Sequence, residues 1–142
     1  MKKKIVSLLS GIFLLTAFGT AMAQNDVACP DAGTVREKGT TITKGFQDTQ
    51  VNDYLWDFYS VPFFDGAYMW QTIFEENLPG VTEPAIAVSK AQIDLNNYPI
   101  STYSQSYTTS DNITVCEYVP YKTNYKIMVV NHVDVTFKNL KK

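Results

Sequence analysis

Apolar and polar positions along this chain alternate with a period of two in short runs, and clusters of turn residues separate the runs. The longest run is near the end. From Tyr125 to Phe137, Ile127, Val129, Val133, Val135 and Phe137 share one strand face, and Met128, Val130, His132, Asp134 and Thr136 share the other, less apolar one. Before it comes Asn112–Val119, a β-branched strand that carries Cys116, bounded by turns at Asp111-Asn112 and across Pro120 to Asn124. Ile100 to Thr109 is rich in Ser, Thr and Tyr, which suits an exposed edge strand with one polar face and one tyrosine-bearing face.

Aromatic residues concentrate between Tyr54 and Phe74. Tyr54, Trp56 and Phe58 alternate with Leu55 and Asp57, and Tyr68, Trp70, Thr72 and Phe74 alternate with Met69, Gln71, Ile73 and Glu75, so two strands are expected. Helix is the competing reading, with Asp53 as a cap and Glu75-Glu76 as helix formers. Pro62 and Asp65-Gly66 supply a break and a turn between the two runs. Asn77 to Pro84 reads as a loop, whereas Ala85 to Leu95 changes period midway and fits either a strand or a short helix. Nearer the start, Thr34–Glu37 and Thr40–Thr43, separated by Lys38-Gly39, read as a small hairpin. Short strands at regular spacing predict a mostly β fold, a small antiparallel sandwich or open barrel with room for one short helix.

The first 23 residues stand apart from this pattern. Lys2, Lys3 and Lys4, the apolar stretch Ile5 to Phe18 and the small-x-small Ala21-Met22-Ala23 have the order of a cleaved secretory leader. Two regions follow: a signal peptide over 1–23 and a single exported β-rich domain over 24–142. The expected location is periplasmic or extracellular, with no membrane anchor after cleavage. Removing those three lysines from twelve basic residues leaves nine against fourteen acidic ones, a formal charge of −5. An acidic chain without a basic run does not suit nucleic acid or an anionic membrane surface. Export also changes the reading of the cysteines. An even count of two in an oxidising compartment predicts a disulfide between Cys29 and Cys116, which closes nearly the whole domain into one loop.

Candidate chemistry is sparse. His132, the only histidine, lies two residues from Asp134 on one strand face, where the pair can orient a general base or simply be a polar surface pair. No serine or free thiol is visibly placed for activation, and the spacings of zinc, calcium and phosphate sites are absent, so neither catalytic nor metal residues are assigned. Asp53, Asp57, Asp65, Glu75 and Glu76 flank the aromatic segment, and two of them meeting in space would make a carboxylate pair. The aromatic rings either fill the core or line a groove for a flat apolar ligand, a sugar or a partner chain.

The Cys29-Pro30 start, the Val-Cys-Glu-Tyr at Val115–Tyr118 and the leader resemble a class of small exported disulfide-linked β-domains of unknown function. In size and leader the chain is also similar to small exported proteins of intracellular gamma-proteobacterial pathogens, some of which are labelled hemin-binding. Together with the aromatic density, this resemblance suggests a non-enzymatic binding protein with no required cofactor and with hemin as a candidate ligand. The resemblance supplies no site residues; the candidate contacts, read from the sequence itself, are His132, Tyr103, Tyr107, Tyr118, Trp56 and Trp70. The alternative is a protein interaction or inhibitor module that acts on a periplasmic or host target through a tyrosine-rich edge.

Overall fold

A computed structural model describes residues 27–120 and 126–131 of the chain. The expected leader, residues 121–125 with most of the turn expected over Pro120 to Asn124, and the part of the expected last strand beyond Asn131, including His132, lie outside the described residues. Within them the fold is mostly antiparallel β, built from seven strands and two helices. The elements run α1 (Ala32–Lys38), β1 (Ile42–Gln47), β2 (Leu55–Ser60), β3 (Phe63–Asp65), β4 (Tyr68–Asn77), α2 (Pro84–Asn97), β5 (Ile100–Thr108), β6 (Thr114–Pro120) and β7 (Lys126–Val130). Six strands lie side by side in the order β1-β2-β4-β7-β6-β5, and β3 forms a short hairpin with the start of β4.

The expected hairpin at 34–43 is instead a helix followed by a strand. Asp31 accepts hydrogen bonds from the Thr34 N–H at 3.0 Å and from its hydroxyl at 2.7 Å, which satisfies donors that a helix start leaves open. At the other end the Gly39 N–H donates to Val35 O at 2.8 Å and closes the last turn. These local caps outweigh the β preference of Thr34 and Val35.

The strands expected over Tyr54–Phe58 and Tyr68–Phe74 are present as β2 and β4. They pair so that Trp56, Phe58 and Ser60 lie on one face with Trp70, Thr72, Phe74 and Glu76. This face also carries Cys116, Tyr118, Ile127 and Val129, and α2 packs onto it through Ala87, Ala91 and Leu95. Phe58 and Phe74 face each other across the ladder with ring centroids 5.1 Å apart. Each fully buried aromatic side chain contributes roughly 1.5–3 kcal/mol relative to an exposed one, so this layer dominates stability. Gly45 belongs to the same design. A Cβ there would sit 2.8 Å from the Phe58 ring and 3.2 Å from Val88 Cγ2, so glycine lets β1 approach both the ring and the helix.

The opposite face holds a second cluster of Tyr59, Ile73, Val115, Met128 and Val130, with Tyr107 and Ile113 against it. Met128 and Val130 are fully buried; His132, Asp134 and Thr136, the polar members expected on their face, lie outside the described residues. Cys29 and Cys116 are joined by the expected disulfide, with their Cα atoms 5.9 Å apart. No helix among the described residues is long and apolar enough to cross a membrane.

The connection from β4 to β5 sets the two sheet edges. The chain leaves β4, crosses beside β1 and β2 as α2, and returns on the far side of the sheet as β5. At the β1 edge the Gln92 side chain of α2 donates to Thr40 O and accepts from the Ile42 N–H, both at 2.9 Å, so the helix hydrogen-bonds the strand's main chain. At the β5 edge no strand among the described residues pairs with the outer side.

Candidate functional site

β5 follows the sequence expectation of an exposed, tyrosine-bearing edge, and from Ile100 to Ser110 it carries no charged residue. Its first half is guarded. Arg36 of α1 donates to Ile100 O at 2.7 Å, and the ladder with β6 bulges twice, before Thr102 and again between Tyr103 and Gln105. Bulges and charged covers are the devices by which proteins keep edge strands from pairing. Regular pairing resumes at Gln105 and runs to Thr108, where neither device occurs among the described residues.

A groove of about 930 Å³ opens beside this unguarded half. One wall is the segment 27–31, held in place by the Cys29–Cys116 bond and by a hydrogen bond that the Tyr118 hydroxyl donates to Pro30 O. The other wall is Tyr103, Ser106, Tyr107 and Thr108 of β5, with Thr114 of β6. Ser106 is the register partner of Cys116 and Thr108 that of Thr114, so these hydroxyls lie on the same sheet face as the disulfide. The Tyr107 side chain lies on the other face, its hydroxyl 3.9 Å from Met128 Sδ, so the strand's main chain also walls the groove.

The tyrosines differ in what they can do. Tyr118 is buried, and burial is the main cause that pushes its phenol well above the ordinary range, with the acidic neighbours Tyr103, Asp31 and Asp65 acting in the same direction. Tyr103 packs edge-on against the Tyr118 ring at 5.8 Å and donates its hydroxyl to Ser106 Oγ at 2.9 Å, yet is 46% exposed and open to a ligand. Burial, then the nearby Glu117 carboxylate, raises Tyr107. Asp31 is the one carboxylate in the lining, and no lysine or arginine is among the lining residues. The hydrogen bonds from Thr34 hold its carboxyl below the usual range, so it is ionised at neutral pH.

The remaining candidates fall elsewhere. Trp56 and Trp70 are 1% and 0% exposed, inside the helix-covered core rather than on an accessible surface. His132 lies outside the described residues. Of the carboxylates flanking the aromatic segment, two do come side by side, since Asp57 and Glu75 are register partners on one face of the sheet, while Glu76 lies opposite Trp56 on the other. No group of three or more metal-ligating side chains occurs among the described residues. Within the segment 27–31 the sequence pointed to Cys29 and Pro30 through the disulfide, but not to the segment as a groove wall, which arises from where the bond to Cys116 sets it against β5. Comparison with protein-family models, with curated proteins and with solved structures finds no match for this chain.

Proposed function

We propose that this chain is an exported, non-enzymatic binding module that takes a short extended segment of another polypeptide along the open half of β5. The observation that carries it is the contrast between the two sheet edges. At β1 the α2 side chain Gln92 bonds the edge main chain, whereas β5 from Gln105 to Thr108 has no such cover among the described residues and borders a groove. An added strand would use main-chain hydrogen bonds for affinity and the groove for side-chain selection. Export rests on the leader-like start and is supported by the disulfide.

Panning a displayed random-peptide library against the purified domain tests this. Selected peptides should lose about tenfold or more in affinity, roughly 1.4 kcal/mol, when charge is introduced at the edge by Ser104→Lys with Ser106→Lys. They should keep their affinity for the β1-side control Thr43→Lys. Peptides indifferent to the β5 substitutions would rule out strand addition there.

A small flat ligand such as hemin is the second reading, favoured by the groove's volume and by the exposed Tyr103 in its lining. A tyrosine can serve as an axial ligand to ferric iron. Among the described residues the lining offers no lysine or arginine for the propionates of hemin, and for this reason we rank it second. A hemin titration followed by visible absorbance decides the matter: a saturable Soret band weakened by Tyr103→Phe supports the carrier reading, and unchanged spectra at micromolar protein remove it.

A further inference from the structure

The groove has a sign. Among the described residues its lining holds one permanent charge, the Asp31 carboxylate, beside the neutral, hydroxyl-bearing Tyr103, Ser106, Tyr107, Thr108 and Thr114. The other charges on the elements around it lie outside the lining. Glu117 is on the opposite sheet face and accepts from Gln105 Nε2 at 2.7 Å. Arg36 comes close to Asp31, since a Cβ at Gly33 would lie 2.8 Å from Asp31 Oδ1 and 3.8 Å from Arg36 Nη2, but its guanidinium donates to Ile100 O and the hydrogen bonds Asp31 accepts come from Thr34. Building on the strand-addition reading, we infer that the occupant is a basic extended peptide that places a lysine or arginine opposite Asp31.

Four features support a cationic partner over an acidic one. The carboxylate is exposed, so a partner can reach it. Its two oxygens accept from Thr34, which fixes its direction at the start of α1 and keeps it ionised while leaving lone pairs for a further donor. It sits on the segment tied to Cys116 and therefore does not drift from the β5 wall. The whole chain is acidic, which attracts basic partners at long range. An acidic peptide would meet the same carboxylate in a lining that, among the described residues, contains no lysine or arginine.

The test compares two synthetic hexapeptides that share a Thr/Val strand core, one ending in lysine and one ending in glutamate. Binding is read by fluorescence anisotropy at low and at high salt, with the wild type and with Asp31→Asn. Asparagine caps a helix about as well as aspartate, so the variant removes the charge and keeps α1. The lysine peptide should bind roughly fivefold tighter at low ionic strength, the size expected from one exposed charge pair gained against one like-charge contact. That preference should vanish with Asp31→Asn, and should shrink at 1 M salt, where the screening length falls to about 3 Å. Equal binding of the two peptides to the wild type, or a preference that survives Asp31→Asn, overturns the charge inference and leaves strand addition standing. If neither peptide binds while the thermal melt shows a folded domain, both inferences fall.

Discussion

Breaking the Cys29–Cys116 bond should cost this domain much of its stability. The two residues are 87 positions apart, so the bond closes a long loop in the unfolded chain. Chain-entropy scaling at that length gives about 4.5 kcal/mol of stabilisation. A domain of this size has about 5–15 kcal/mol in total, so the loss takes a third or more of it. The consequences are local as well as global. Cys116 is fully buried, Val27 and Cys29 pack against the main core, and Tyr118 donates to Pro30 O, so segment 27–31 loses its tether and one groove wall with it. At about 4 °C per kcal/mol the melting temperature should fall by about 15–20 °C. The assay is circular dichroism melting of oxidised protein, of protein in reductant, and of the Cys29→Ala, Cys116→Ala double variant, with the bond verified by mass. A drop under about 5 °C for a verified bond would refute the loop-closure account. Hydrogen exchange should also show protection lost first in α1 and the segment before it, because these are reached through the bond.

Four further outcomes follow from particular contacts. Thr72 Oγ1 is buried with no hydrogen-bond partner among the described residues, so Thr72→Val should be neutral or stabilising by about 1 kcal/mol in a urea melt; a marked loss would reveal a partner. A Cβ at Gly39 would lie 2.7 Å from both the Phe63 ring and Thr72 Oγ1, so Gly39→Ala should destabilise by about 1–3 kcal/mol on the same measurement. Gln92→Ala removes both hydrogen bonds to the β1 edge; it should cost about 1–2 kcal/mol and speed amide exchange at Ile42, and unchanged exchange would contradict the covered-edge description. Tyr118 titrates above its unfolded value, so the folded state holds its proton longer. The stability this lends is whole below the unfolded pKa near 10 and is lost as pH rises toward the folded one, so Tyr118→Phe should flatten the alkaline fall in stability measured above about pH 10.

Much of the strand content was legible because it depends on neighbours two residues apart. β2, β4, β5 and β6 fall where alternation and turn residues put them, with Gly66 at φ 59° and Asn112 at φ 59° in the turns before β4 and β6. The two helices were harder, and for different reasons. In α2 the large residues Ile86 and Ile93 face solvent at 49% and 55% exposure, while the buried stripe is Ala87, Ala91 and Leu95. A reader who weights side chains by size therefore follows the wrong face. In α1 only Val35 is buried, so there is almost no apolar period to find, and the deciding signal is Asp31 three residues before Thr34. The groove wall at 27–31 was legible only through Cys29, whose bond to Cys116 could be expected, and not in its position against β5.

Local alternation, turn chemistry and an even pair of cysteines were thus enough to determine from the sequence that this protein is a mostly antiparallel β domain closed by one disulfide. Which aromatics lie inside, which edge is covered and where a groove opens were decided only in three dimensions. The contacts responsible span the chain: Gln92 reaches Thr40 across 52 positions, Arg36 reaches Ile100 across 64, and Tyr118 reaches Pro30 across 88. Such pairs arise from the crossover of α2 and the closure at Cys29, and side-chain periodicity carries no information about partners that distant, because it records only which face of its own element a residue occupies.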